Sequence, residues 1–455
     1  MDLLPHSSTL TRAPFGSPRE IEAAPAKAPF LATADRIGHV LCRDAIWSGA
    51  RCNWMTWDTV QLGGTFTPIF RAADLTFYNG VAGIALFLAQ LASQTGDRHQ
   101  RATRDGAARQ VAARLDTIPP DAIGLHGGAA GVAHALLCFG ELTGDADAIE
   151  RGLEVLRRLP RDGLTVGQLD LVSGCAGTIP VLIDAAHRHG CEELLDIAAA
   201  HADHLVRHAV HGDAGAWWPA GDGATRGLLG YSHGAAGIAC ALLEYHRARP
   251  EPRLEQLARD ALRYERSHFD PVALGWPDFR QNVASGGAHP VAWCHGATGI
   301  GLSRLRLLDL LPDDRAALEA ELEAAHRAVT LHVLATVNGS VTDFSLCHGL
   351  AGNADFLISA ARRFGRDEVL ANARQIGLLG IEACARPQRP WPCGVPGGGE
   401  AAGVMLGRAG IGWFYLRLHD PEIPTPLMRI PRPDSRSDNS STKHDSQARS
   451  PGELP

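Results

Sequence analysis

The chain has 455 residues, 45% hydrophobic and 20% charged, which is enough apolar material for a large core and excludes a wholly disordered protein. With 43 basic and 50 acidic residues its net charge is −7, so the basic footprint typical of nucleic-acid-binding proteins is missing. No apolar stretch approaches the roughly 18 to 20 residues of a membrane-spanning helix, and the N-terminus does not resemble a secretory signal. We therefore predict no nucleic-acid partner, no transmembrane segment and a cytoplasmic location, where ten cysteines would not form a disulfide framework.

The two ends of the chain differ in composition from its centre. Residues 1–33 are rich in Pro and Ala and are predicted to be a flexible extension, whereas residues 34–60 are expected to form an amphipathic helix packed on the main domain. The main domain is predicted to span residues 34–420. Residues 421–455, which from about residue 431 are mostly Ser, Asp, Arg and Pro, are predicted to be a disordered tail.

A repeat accounts for many of the 50 glycines. Seven copies of a Gly-x-x-Gly pattern, each followed by an apolar run, begin at glycines spaced by 46 to 62 residues. Their first glycines are Gly80, Gly128, Gly174, Gly234, Gly296, Gly349 and Gly407. Each copy predicts one apolar helix that opens at the glycines, followed by a more polar, amphipathic helix.

Seven such helix pairs give about fourteen helices. Because an apolar helix must be buried, these helices are expected to form an inner barrel surrounded by the amphipathic ones. We predict an all-α fold, an α/α toroid in which two layers of helices close into a seven-fold ring. An open superhelical stack is the alternative architecture.

The repeat also predicts which side chains meet. The two residues before each first glycine occupy equivalent positions and should project from one mouth of the barrel. Metal-capable residues concentrate there in the fourth to sixth copies, as Ser232-His233, Cys294-His295 and Cys347-His348, and Asp170 lies on the same rim. Zinc favours thiolate and imidazole ligands, so Cys294, Cys347 and His348 could hold this ion with one position left open. The other eight cysteines are interpreted as structural; for His126 and His295, structural and functional roles both remain open.

These residues resemble the lanthionine synthetase C-like family, the zinc-dependent cyclases of lanthipeptide biosynthesis. The resemblance runs from about residue 34 to 420 and rests on Ser-His-Gly at 232–234, Trp-Cys-His-Gly at 293–296, Leu-Cys-His-Gly at 346–349 and GRAGIGWFYLRL at 407–418. The segments AIWSGARCNW and DLTFYNGVAGIALFLA are most similar to the cyclase part of class II synthetases.

The resemblance implies a reaction. Zn²⁺ held by Cys294, Cys347 and His348 would bind a cysteine thiol of a dehydrated precursor peptide, and the thiolate would add to dehydroalanine or dehydrobutyrine to form a thioether ring. By the same resemblance, His233 would be the acid/base and Asp170 its partner. Pro290 stands where some members carry an arginine, so enolate stabilisation is unassigned, with Arg280 and His295 as candidates. A dehydratase is a further partner that the resemblance allows.

Three other functions compete with peptide cyclisation. The same chemistry could add glutathione or another small thiol to dehydroamino acids. A zinc-stabilised ring could instead bind a peptide without catalysis. A zinc prenyltransferase subunit also activates thiols on a helical ring, but its metal set normally includes a carboxylate, which the Cys/Cys/His pattern does not require.

Overall fold

The structure, a computed structural model, describes residues 28–62, 65–221, 224–280, 288–338, 341–386 and 388–431. Residues 1–27 of the predicted flexible extension and residues 432–455 of the predicted tail lie outside the described residues. Among the described residues none of the helices is long and apolar enough to cross a membrane.

Fourteen α-helices and six short strands form in the described part of the chain. They are α1 (Ala28–Asp44), β1 (Ile46–Ser48), β2 (Arg51–Asn53), β3 (Met55–Leu62), β4 (Thr65–Ala72), α2 (Val81–Thr95), α3 (Arg98–Ala112), α4 (Ala129–Thr143), α5 (Ala146–Arg157), α6 (Cys175–His189), α7 (Glu193–Arg207), β5 (Val210–Gly212), β6 (Gly215–Trp217), α8 (Ala235–Ala248), α9 (Pro252–Ser267), α10 (Ala297–Leu310), α11 (Arg315–Val337), α12 (Leu350–Phe364), α13 (Asp367–Gly380) and α14 (Arg408–His419). The strands pair into three antiparallel hairpins, β1–β2, β3–β4 and β5–β6.

The even-numbered helices, α2 to α14, form the inner barrel. Each packs on the next, and α14 packs on α2, so the ring closes. Burial follows from this position: in α6 every residue from Cys175 to Ala186 is buried, because neighbours cover all sides of the helix. The predicted α/α toroid is therefore confirmed, and the open stack is wrong.

The odd-numbered helices form the outer layer and bury one face each. In α5 the buried residues are Ala148, Gly152, Leu153, Val155 and Leu156, at helical spacing on one side. Asp145 caps this helix by accepting a hydrogen bond from the Ala148 N–H. The seventh outer helix comes from the other end of the chain, since α1 packs on α14.

The N-terminal prediction was partly wrong. The helix predicted over residues 34–60 begins earlier, at Ala28, and ends at Asp44. Residues 28–33 therefore belong to this helix and not to a flexible extension. The first four strands follow instead, paired as β1 with β2 and β3 with β4. The segment 55–62 (MTWDTVQL) is rich in β-branched and aromatic residues, which favour strands over helices.

The predicted start of the disordered tail was also wrong. Residues 421–431 are described and pack against the inner helices, with Ile423 and Leu427 buried. Leu427 accepts a hydrogen bond from the indole N–H of Trp293 at 2.9 Å, and Arg429 pairs with Asp184 of α6. This segment has few apolar residues. The interior of the ring nevertheless provides packing and hydrogen-bond partners for its apolar and polar side chains, which the composition alone does not reveal.

Candidate metal centre

A ring of hydrogen bonds joins the loops that precede the seven inner helices. Residues two or three positions before each first glycine bond to the next copy. Six of these bonds join backbone groups, and one is donated by a serine hydroxyl. The links are Tyr78 N to His126 O (3.0 Å), His126 N to Val172 O (3.1 Å), Leu171 N to Ser232 O (3.0 Å), Ser232 Oγ to Cys294 O (2.7 Å), Cys294 N to Cys347 O (3.3 Å), Cys347 N to Met405 O (2.9 Å) and Met405 N to Tyr78 O (2.7 Å). This ring holds the equivalent positions at one mouth of the barrel, as their shared register predicts.

Three of the predicted site residues meet at this mouth. The possible ligand atoms of Cys294, Cys347 and His348 all lie within 4.8 Å of one another. Among the described residues this is the one group of three or more His, Cys, Asp or Glu side chains with such spacing. The loop that carries Cys294 requires a glycine, because Gly296 has φ +93° and a Cβ there would lie 1.7 Å from the Pro290 oxygen.

The ring of His348 is oriented by partners on one side. Its Nε2 lies 3.1 Å from the Gly394 oxygen and 3.2 Å from Asp343 Oδ2, both of which only accept, so Nε2 carries the proton. A Cβ on Gly394 would lie 2.9 Å from Nε2, so a glycine permits this close approach. Nδ1 is then the nitrogen left for a metal, and a carboxylate or carbonyl behind a ligating histidine is usual in metal sites.

The two thiols are electrostatically coupled. The hydrogen bond between them lowers the pKa of Cys294 and raises the pKa of Cys347, so the first thiolate forms on Cys294. Burial opposes protonation of His348, but its hydrogen bond with Cys294 and the charge of Asp343 raise its pKa to about 8. Two sulfurs and one imidazole in contact are a donor set that zinc favours.

His233 and Asp170 form a second group at the mouth. His233 Nδ1 lies 2.6 Å from Asp170 Oδ2, across two neighbouring copies of the repeat. Asp170 is itself fixed, because its Oδ1 accepts from the Ser173 N–H at 2.7 Å. Burial works to lower the pKa of His233, but the hydrogen bond and charge of Asp170 outweigh it and raise this pKa. The imidazole can therefore hold a proton near neutral pH.

The two candidates for enolate stabilisation lie close by. His295 stacks on His233 with ring centroids 5.2 Å apart, and burial lowers its pKa to about 4, so it is neutral. Arg280 is ion-paired with Asp278 at 2.6 Å. Burial opposes its charge, but Asp278 and then the charges of Cys294 and Cys347 raise its pKa, which places a permanent cation near the thiols.

Sequence analysis left one member of this site without a role. The hydroxyl of Tyr78 donates a hydrogen bond to Cys347 Sγ at 3.0 Å. The repeat could have indicated Tyr78, because this residue stands two positions before the first glycine of its copy, as Cys294 and Cys347 do. The ring of Tyr78 meets the ring of His126 edge-on. His126 is fully buried, and neither of its ring nitrogens is bonded to any described residue; burial lowers the pKa of His126 to about 3.

Comparison with known proteins identifies the family. A model of the lanthionine synthetase C-like protein family matches residues 71–430. The chain belongs to this family. A curated relative, the lacticin 481/lactococcin biosynthesis protein LcnDR2 of Lactococcus lactis subsp. lactis, is 25% identical over 198 residues. That alignment covers 42% of this chain and only 20% of the relative, so the chain spans a small part of that protein's length.

The solved structure of nisin cyclase has the same fold. It superposes with a TM-score of 0.55 at 17% identity, over 78% of this chain and 90% of that one. The Cys294, Cys347 and His348 group resembles the zinc site of the family.

Proposed function

We propose that the chain is a zinc-dependent lanthipeptide cyclase, which adds cysteine thiols of a dehydrated precursor peptide to dehydroalanine or dehydrobutyrine. One observation carries this proposal. The thiol and imidazole group of Cys294, Cys347 and His348 shares a barrel mouth with the hydrogen-bonded pair of His233 and Asp170, in a chain of the lanthionine synthetase C-like family.

The residues present fit zinc. Cys294 and Cys347 would supply two thiolates, and His348 would supply Nδ1, because its Nε2 is held by Gly394 and Asp343. Zinc bound there would favour the thiolate form of a substrate cysteine at neutral pH. Three protein ligands leave room for that sulfur as a fourth.

The reaction would need one proton at carbon. As the sulfur–carbon bond forms at the β-carbon, the carbon–carbon double bond becomes an enolate, and a proton must reach the α-carbon. His233 would deliver it, with Asp170 keeping the ring protonated and oriented. Arg280 would supply a permanent positive charge for the developing enolate, since His295 is neutral. The proton lost by the thiol balances the one gained by carbon, so cyclisation leaves the peptide mass unchanged.

The test is a thiol count on a dehydrated precursor peptide. After incubation with the protein, the peptide is alkylated and weighed by mass spectrometry. We expect the parent protein to abolish alkylation without changing the peptide mass, whereas Cys347→Ala should leave the thiols free. Cys191→Ala is the matched control, because Cys191 is a buried cysteine in the turn between α6 and α7 and does not belong to the candidate metal group.

Two outcomes would contradict the proposal. Equal numbers of free thiols with the parent and with Cys347→Ala would mean that this site does not catalyse cyclisation. A gain of one glutathione mass, seen only when glutathione is added, would instead support addition of a small thiol. Metal content is measured on the same samples, and we expect about one zinc per chain, lost on Cys294→Ala.

A further inference from the structure

Tyr78 is held rigidly beside the candidate metal centre. Its backbone N–H donates to the His126 oxygen at 3.0 Å and its oxygen accepts from the Met405 N–H at 2.7 Å, so both neighbours in the mouth ring fix it. Its aromatic ring meets the ring of His126 edge-on, with centroids 6.2 Å apart. The direction of the hydroxyl is therefore set by the fold.

That hydroxyl is a permanent donor. A tyrosine hydroxyl carries its proton at neutral pH, where it can donate a hydrogen bond. Its partner is Cys347 Sγ, 3.0 Å away and contributed by the sixth copy of the repeat. The contact thus joins the first copy to the sixth across the mouth.

We infer that Tyr78 is a positioning residue for the metal centre, whose hydroxyl hydrogen-bonds the Cys347 thiolate and limits the charge that this sulfur donates to a bound metal. The inference rests on the metal site proposed above but not on the peptide reaction. A hydrogen bond to a ligating atom changes the electron density that reaches the metal, and such outer contacts tune affinity and reactivity. Here the bond would leave the metal more electron-poor and better able to hold a substrate thiol as thiolate.

Tyr78→Phe isolates this hydrogen bond, because it retains the ring that packs on His126 and removes only the hydroxyl. The experiment uses the full chain loaded with Co²⁺ in place of zinc, since Co²⁺ adopts the same ligands and is coloured. Without the hydroxyl the Cys347 sulfur becomes more electron-rich. We expect the sulfur-to-cobalt charge-transfer band to move to lower energy, while the ligand-field bands keep a four-coordinate pattern.

A second readout is metal affinity, measured by competition with a chelator. Loss of a hydrogen bond to a ligating atom typically weakens metal binding by about 10- to 100-fold. We expect Tyr78→Phe to bind the metal more weakly by a factor of this order. The matched control is Tyr415→Phe, which removes a buried hydroxyl that donates to the Gly377 oxygen at 2.8 Å and touches no candidate ligand. This control should leave both the band and the affinity unchanged.

A third protein keeps the test decisive if Tyr78→Phe folds poorly. Replacing Tyr78 by 3-fluorotyrosine retains the hydroxyl and makes it a stronger donor, so the charge-transfer band should move to higher energy. Unchanged band position and affinity in Tyr78→Phe, or an unshifted band in the fluorinated protein, would overturn the inference. Because neither readout uses a peptide, a protein that fails to cyclise its substrate could still pass this test.

Discussion

At the scale of single residues, the candidate acid depends on its partner. Burial alone would lower the pKa of His233, and the hydrogen bond and charge of Asp170 reverse that direction. A histidine that donates a proton must be protonated, so its contribution is lost as the pH rises through its pKa. Asp170 therefore extends the working range of His233 towards higher pH.

We predict that Asp170→Asn moves the alkaline side of the cyclisation rate profile to lower pH. The asparagine keeps a polar partner but removes the negative charge, so the pKa of His233 falls. His233→Ala should lower the rate by about 10²- to 10⁴-fold, the usual contribution of a general acid. Initial rates across neutral and mildly alkaline pH check both statements.

The control for this profile is Asp196→Asn, because Asp196 pairs with Arg249 on the outer layer. That variant should follow the parent at every pH. An Asp170→Asn profile that coincides with the parent profile would show that the carboxylate does not set the protonation of the acid.

Sequence reasoning reached these residues because the repeat supplies a register. Cys294 and Cys347 occupy one register position, and His233 and His348 occupy the next, so their convergence follows from ring closure alone. The partners that orient them were not predictable in the same way. Asp343 lies outside the two register positions, and Gly394 reaches His348 from a loop after α13 whose path no periodicity describes.

At the scale of secondary-structure elements, the C-terminal segment 421–431 is a structural part of the barrel. Thr425 donates to Asp355 of α12 at 2.5 Å, and Asp355 also pairs with Arg417 of α14. Leu427 receives the indole N–H of Trp293, the residue before Cys294. The segment thereby links two inner helices to the loop that carries one candidate ligand. Composition predicted disorder here because nothing in the sequence shows that the barrel would accept these few apolar and polar groups.

We predict that Asp355→Ala destabilises the protein by about 3–5 kcal/mol, because it leaves the buried Arg417 guanidinium without its carboxylate. Asp355 is 0% exposed and Arg417 1% exposed, so water cannot replace the lost partner. Chemical denaturation followed by circular dichroism gives the free energy of unfolding. The control is Glu382→Ala, which breaks an exposed pair with Arg386 and should cost less than about 1 kcal/mol. Similar losses for the two variants would contradict a structural role for the buried pair.

At the scale of the whole molecule, the ring is closed by its two ends. The repeat predicted seven helix pairs, but the last copy lacks an outer helix of its own, and α1 supplies it by packing on α14. The sequence predicted that this helix packs on the domain but did not predict where in the ring it lies, because a pairing between the two ends of the chain leaves no local pattern. At the seam where α14 meets α1 and α2, the ring therefore depends on contacts between distant parts of the sequence.

Phe30 lies in this seam. It is 0% exposed, and its ring stacks near that of Tyr415 with centroids 6.4 Å apart. We predict that Phe30→Ala lowers the free energy of unfolding by about 3–5 kcal/mol through loss of buried area and the cavity left behind. Arg43→Ala is the control on the same helix, since its side chain is 72% exposed, and it should change stability by less than about 0.5 kcal/mol.

The form of the Phe30→Ala transition distinguishes a closed ring from a stack of repeats. In a stack, weakening one end would fray that end first and leave the other repeats folded until a second transition. In the ring, every inner helix has two inner neighbours, and the hydrogen bonds of the mouth join all seven copies. Helix content and bound metal are measured along one denaturant series. In the parent, both should be lost in the same transition. In Phe30→Ala, both should again be lost together, at a lower denaturant concentration. Helix loss that precedes metal release in the variant would mean that the seam and the metal centre unfold separately and that closure does not stabilise the site.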